Sequence, residues 1–144
     1  MLVKVVNNST NPLPKYESKS SAGMDLRAYL DTIIVLRPLD RVMVKTGLYI
    51  QMPLGVEAQV RPRSGLAIKS GVTVLNSPGT IDSDYRGEIC VIVINLSNED
   101  FEIQNGDRIA QLVFTKHESV DFEVTDYLEK TVRGESGFGS TGIK

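Results

Sequence analysis

Histidine and cysteine each occur once in these 144 residues, and tryptophan not at all. With Cys90 as the lone thiol, no disulfide can close within the chain and a zinc site built on cysteines is excluded. A reducing, cytoplasmic setting is therefore expected. The single His117 ends the alternating run Leu112-Val-Phe-Thr-Lys-His117, which reads as the edge or exit of a strand. A Ser-His-Asp triad or a multi-histidine metal site accordingly has little support. Long apolar runs are also missing. The longest, Ile89-Cys-Val-Ile-Val-Ile94, falls far short of a membrane-spanning helix. The opening Met1-Leu-Val-Lys-Val-Val6 is too short for a secretory core and no cleavage site follows it. A soluble, untargeted protein with no membrane partner is the expectation. Excess charge is lacking too: the net charge of −2 gives no global attraction to nucleic acid or anionic lipid. An anionic ligand would have to be held by local arginines.

What is present is short strand after short strand. At 41% apolar and 24% charged, the chain suits one globular domain with its own core. Met24, Leu26, Ala28 and Leu30 alternate with Asp25, Arg27, Tyr29 and Asp31, the period of a half-buried strand. Further strands are predicted at residues 2–6, 32–36, 41–45, 47–51, 56–61, 101–104, 108–115 and 121–124. Turn signals every eight to twelve residues point to an all-β jelly-roll-like barrel or sandwich. Asn105-Gly106-Asp107 is a strong hairpin turn between two of these strands. Helix is expected only over residues 64–71, with Ser64 as its N-cap and Gly71 as its end. The β domain is expected to run over residues 1–130, followed by a glycine-rich arm over residues 131–144.

Three stretches carry candidate chemistry. Gly79-Thr-Ile-Asp-Ser-Asp-Tyr-Arg-Gly-Glu88 lies between the apolar runs Val72-Thr-Val-Leu75 and Ile89-Cys-Val-Ile-Val-Ile94, as the loop of a β-hairpin would. Its carboxylates, Tyr85 and Arg86 could orient a water, pack on a sugar or base and hold a phosphate. An ordinary solvated hairpin is the alternative. Arg61-Pro-Arg-Ser-Gly-Leu-Ala67 combines guanidinium groups, a hydroxyl and the free N–H groups of a helix start, which together make an anion site. A strand end with solvated arginines also accounts for it. Arg133-Gly-Glu-Ser-Gly-Phe-Gly-Ser-Thr-Gly142 has no Gly-Lys-Ser/Thr ending and so is not a Walker A loop. Its backbone can still wrap phosphates once ordered, and Phe138 has only a planar ligand to stack on. A disordered terminus is the alternative.

Together with Ala22-Gly-Met-Asp-Leu-Arg-Ala28 and Gly106-Asp-Arg-Ile-Ala-Gln-Leu-Val-Phe114, these stretches resemble the five ordered motifs of the trimeric deoxyuridine triphosphate nucleotidohydrolases (dUTPases). The resemblance runs from about the second strand to the C-terminus. It implies a jelly-roll-like fold, a homotrimer with shared active sites, and Mg²⁺-dependent hydrolysis of dUTP to dUMP and pyrophosphate, with no nucleic-acid partner.

Residue by residue, Asp82 resembles the general base that orients water toward the α-phosphate. Tyr85 resembles the residue that packs beneath the deoxyribose and leaves no space for a 2′-hydroxyl. Arg63, Ser64, Gly65 and Gln111 match phosphate contacts, and Asn76, Thr80, Ile81 and Cys90 match the uracil pocket. Asp25 resembles the acid that holds the metal's water shell. Arg133, Phe138, Gly139, Ser140 and Thr141 match an arm that closes over the nucleotide. Two departures are slight: the arm stops at Ile143-Lys144, and the Asn76-Ser-Pro-Gly79 turn is stiffened by its proline. A dCTP deaminase on the same fold, or a non-catalytic nucleotide-binding module, is the rival reading.

Overall fold

Alternating Val, Ile and Leu positions build short strands here because each needs only one face covered. In this computed structural model, which describes residues 1–137 and 140, the described residues form eleven strands and one helix. They are β1 (Lys4–Asn7), β2 (Gly23–Arg27), β3 (Ile34–Leu36), β4 (Arg41–Lys45), β5 (Leu48–Gln51), β6 (Val56–Arg61), α1 (Ser64–Ser70), β7 (Val72–Val74), β8 (Gly79–Ile81), β9 (Cys90–Asn95), β10 (Phe101–Ile103) and β11 (Arg108–Lys116). Every pairing is antiparallel. The sheets are β2-β11-β6-β8, β4-β9-β7, β1-β5 and β10-β3, a jelly-roll-like assembly of small sheets.

One core joins them. Leu26 of β2, Val60 of β6, Val91 and Val93 of β9, Ile103 of β10 and Leu112 of β11 are all buried within it. Strand β9 alternates half-buried and buried positions through Asn95, the one buried amide of the run. The Asn95 side chain is fully engaged: its Nδ2 donates to the carbonyls of Leu36 and Glu99, each at 2.8 Å, and its Oδ1 accepts from Ser97 N at 2.9 Å. A buried amide satisfied in this way costs little, whereas an unsatisfied one would cost ~1–3 kcal/mol.

Four expectations change. The runs flanking residues 79–88 do pair, Val74 with Val93, but the intervening β8 leaves that hairpin and pairs with β6 in another sheet. The Asn105-Gly106-Asp107 turn forms, with Asp107 N donating to Gln104 O at 3.1 Å, yet β10 pairs with β3 while β11 pairs with β2 and β6. Gly106 N instead donates to Ala28 O at 2.8 Å, so the turn is docked on the end of β2 and directs the chain into another sheet. The N-cap of α1 is Arg63, without a side-chain cap bond, and Ser64 is the first helical residue. Gly71 ends the helix as expected, in the left-handed region at φ 63° that a Cβ disfavours. Residues 121–124 form no strand, since no neighbouring strand pairs with them; Phe122 and Val124 are 94% and 96% exposed.

Candidate active site

Strand order brings distant sequence stretches together. In the sheet β2-β11-β6-β8, Asp25 of β2 stands opposite Gln111 of β11, and Gln111 stands opposite Arg61 of β6. Two residues past Arg61, Arg63 turns back across the sheet end. Its Nε donates to Asp25 Oδ1 at 3.0 Å and its Nη1 to the carbonyl of Arg108 at 2.9 Å. Arg108 Nη1 lies 3.2 Å from Asp25 Oδ2, and Gln111 Nε2 lies 3.5 Å from Asp25 Oδ1, at the outer limit of a hydrogen bond. Asp25 is only 12% exposed, so it is a fixed anchor beneath the two more exposed guanidinium groups.

Arg108 is a member of this cluster that reading the sequence passed over. Arg108 and Gln111 are three apart, and a regular strand would put them on opposite faces. The register of β11 against β2 shifts between Arg108 and Ala110, and Ile109 and Ala110 are both buried. This bulge turns Arg108 and Gln111 to the same side, toward Asp25. Two arginines against one carboxylate leave local positive charge on a chain whose net charge is −2. An anionic ligand is the natural counterpart.

Ser64 and Gly65 open α1 beside this cluster and are exposed. The first turn of the helix carries no acidic side chain and no side-chain cap. A Cβ at Gly65 would meet no heavy atom within 4 Å, so nothing in the chain's own packing calls for glycine there. Close approach of a ligand to the backbone would.

The second group of candidates lies elsewhere. Asp82 follows Ile81, whose partner on β6 is Ala58, five residues before Arg63. Because β8 runs antiparallel to β6, the chain reaches Asp82 while moving away from the level of Arg61, Gln111 and Asp25, four residues or ~13 Å along the strand. Asp82, Tyr85, Asn76 and Thr80 are exposed, Ile81 is buried and Cys90 half-buried. Strand β8 is the edge of its sheet while β9 is the centre of another, so the two arms around residues 82–89 splay. The outer backbone edge of β8 is left for other hydrogen bonds. Burial, helped by the Glu88 carboxylate and opposed by Lys45, raises the Cys90 thiol above its ordinary value, so it is protonated at neutral pH and poorly suited to act as a nucleophile.

In the arm, Arg133 Nε donates to Ser136 O at 2.8 Å and Ser140 N donates to Gly137 O at 3.0 Å. These bonds stay within the arm, and no hydrogen bond joins its described residues to the Arg63 cluster. Phe138, Gly139 and Thr141 lie outside the described residues. Among the described residues no three His, Cys, Asp or Glu side chains converge as a metal cage. One carboxylate shared with arginines fits an ion carried by ligand phosphates and waters, which is how Mg²⁺ prefers to bind. No helix among the described residues is long and apolar enough to cross a membrane.

Comparison with known proteins bears on this geometry. The profile of the family described as dUTPase matches residues 9–142. The deoxyuridine 5'-triphosphate nucleotidohydrolase of Cytophaga hutchinsonii is 59% identical, over 97% of this chain and 91% of that protein. The enzyme of the same name from Finegoldia magna is 54% identical, over 99% of both chains. Among solved structures, the Staphylococcus bacteriophage 80alpha dUTPase with dUPNHPP superposes with a TM-score of 0.88, at 25% identity over 99% of both chains.

Proposed function

This chain belongs to the dUTPase family, and from that premise we infer that it hydrolyses dUTP to dUMP and pyrophosphate. The observation that carries the reading is the convergence of Asp25, Arg63, Arg108 and Gln111 at one sheet end. Such a cluster can hold a triphosphate. Arg63 and Gln111, with Ser64 and the close-approach backbone at Gly65, neutralise and orient the phosphate chain. Asp82 accepts the proton of the water that attacks the α-phosphate. Most of the acceleration in phosphoryl chemistry comes from positioning and charge neutralisation, which suits a site rich in arginine and poor in bases. Uracil is read by the exposed edge of β8 at Thr80 and Ile81, with Asn76 and Cys90 as neighbours. Tyr85 packs on the deoxyribose and excludes a 2′-hydroxyl. Asp25, through water, would steady a Mg²⁺ carried by the triphosphate, which would supply further neutralisation of the phosphate charge.

The separation of Asp82 from the Arg63 cluster makes a site within one chain incomplete. A homotrimer with shared sites resolves this: one copy supplies Arg63, Gln111 and Asp25, and another supplies Asp82 and Tyr85. The acidic, apolar segment of residues 118–132, with Phe122, Val124, Leu128 and Val132 exposed, has a face to bury on a neighbour. The arm beyond residue 130 would then close over bound nucleotide, with Arg133, Ser140 and Thr141 near the phosphates and Phe138 beside Gly139 on the uracil. Closure excludes water and completes the site. Acting on free nucleotides, the enzyme belongs in the cytoplasm, where it removes dUTP and supplies dUMP.

The test is a panel of nucleoside triphosphates assayed for pyrophosphate with and without Mg²⁺. Pyrophosphate from dUTP alone, dependent on Mg²⁺, is expected. Ammonia release from dCTP without dUTP cleavage would overturn the reading.

A further inference from the structure

The loop that carries Tyr85 is fastened from its far side. The Tyr85 ring folds back over Gly87 so closely that a Cβ there would clash with its hydroxyl and Cζ. Its hydroxyl donates to the carbonyl of Glu88 at 3.1 Å. Arg86 Nη1 donates to the carbonyls of Ser83 and Tyr85, each at 2.8 Å, and so fixes the peptide that bears the ring.

Glu88 and Ile89 are in turn held by the corner between β4 and β5. Gly47 N donates to Glu88 Oε1 at 2.7 Å, the buried Thr46 Oγ1 donates to Ile89 O at 2.6 Å, and Ile89 N donates to Leu48 O at 2.8 Å. Gly47 is confined in its own right: its φ is +71°, and a Cβ would meet Ser9 Cβ at 2.7 Å. A chain of contacts therefore runs from the Thr46–Leu48 corner through Glu88 to the aromatic ring.

Rejecting a substrate for one extra hydroxyl by steric exclusion requires a wall that does not yield. Tyr85 is 47% exposed and has no packed core around it, so its rigidity must come from these contacts. We propose that Glu88, bonded to Gly47, and the space cleared by Gly87 are positioning elements that lock Tyr85 against a 2′-hydroxyl. Discrimination between deoxyribo- and ribonucleotide is thus set from the Thr46–Leu48 corner as well as by the ring itself. The inference rests on the reading of Tyr85 as the sugar-packing residue.

The measurement is kcat/KM for dUTP and for UTP in Tyr85→Ala, Glu88→Ala, Glu88→Gln and Gly87→Ala. Glu88→Ala and Gly87→Ala are each expected to lower the dUTP/UTP ratio about tenfold, chiefly by admitting UTP. Glu88→Gln keeps an acceptor for Gly47 N and should hold the ratio within about twofold of the parent. Gly87→Ala leaves the corner bonds intact, so it reports on the ring even if Glu88→Ala folds poorly. A parallel fall for both substrates, with the ratio unchanged, would show a merely structural role and overturn the proposal. An equal loss in Glu88→Gln and Glu88→Ala would overturn it as well, since the acceptor would not be what matters. If Tyr85→Ala itself leaves the ratio unchanged, the reading of Tyr85 falls and the proposal with it. If Tyr85→Ala collapses the ratio while Glu88→Ala and Gly87→Ala do not, the proposal alone falls.

Discussion

Asp25 sits between two guanidinium groups, and that arrangement separates the roles of the residues around it. Its carboxylate is nearly covered and paired with Arg63 and Arg108, which suits the proposed role of organising cations rather than that of a base. Asp82 is exposed and lies at the end of an edge strand, open to a bound water. Asp82→Asn is therefore expected to cut turnover on the order of a thousandfold while dUTP still binds. Pyrophosphate release measured beside equilibrium binding separates the two effects. Arg108 should act on the phosphates and not on the base. In Arg108→Gln the affinity for dUTP is expected to drop about tenfold and that for dUMP to change less than about twofold, as binding titrations of the two ligands would record. Equal losses for both ligands would place Arg108 elsewhere. Its own stability contribution is small, since a half-exposed ion pair contributes little.

At the scale of elements, the arm and the β domain should be separable. Ending the chain before Arg133 is expected to cripple turnover and leave the melting temperature within about 2 °C, because the described residues of the arm, apart from the half-buried Gly137, are exposed and their hydrogen bonds stay within the arm. A fully active truncated protein would remove the closing role. Strands whose alternation is covered on one face were legible in the sequence: β4 and β6 occupy the predicted residues 41–45 and 56–61. What alternation could not convey is partner choice. The Asn105-Gly106 turn has all the chemistry of a hairpin, yet docking of Gly106 on Ala28 carries β11 to β2 and β6. The bulge at Ile109 is invisible for the same reason, since it exists only relative to β2, and with it went the place of Arg108. Residues 121–124 show the converse: a strand-like alternation forms no strand where no other strand pairs with it.

The whole molecule poses the question that no single stretch could. Apart from the arm, the motifs read from the sequence gather into two groups, and the pairing of β8 with β6 sets Asp82 and the Arg63 cluster at different levels of one sheet. On the proposed roles, the base Asp82 and the phosphates it serves meet within a water's width, so the proposed site draws one of them from a second copy. Mixed oligomers measure this directly. Arg63→Ala and Asp82→Asn proteins, each inactive alone, are combined by co-refolding and assayed for pyrophosphate release from dUTP with Mg²⁺. If a site draws Arg63 from one copy and Asp82 from another, random assembly restores both native residues in roughly a quarter of the sites. About that fraction of the parent activity is expected to return. A mixture as inactive as its two components, shown by mass measurement to contain mixed oligomers, would contradict the shared site.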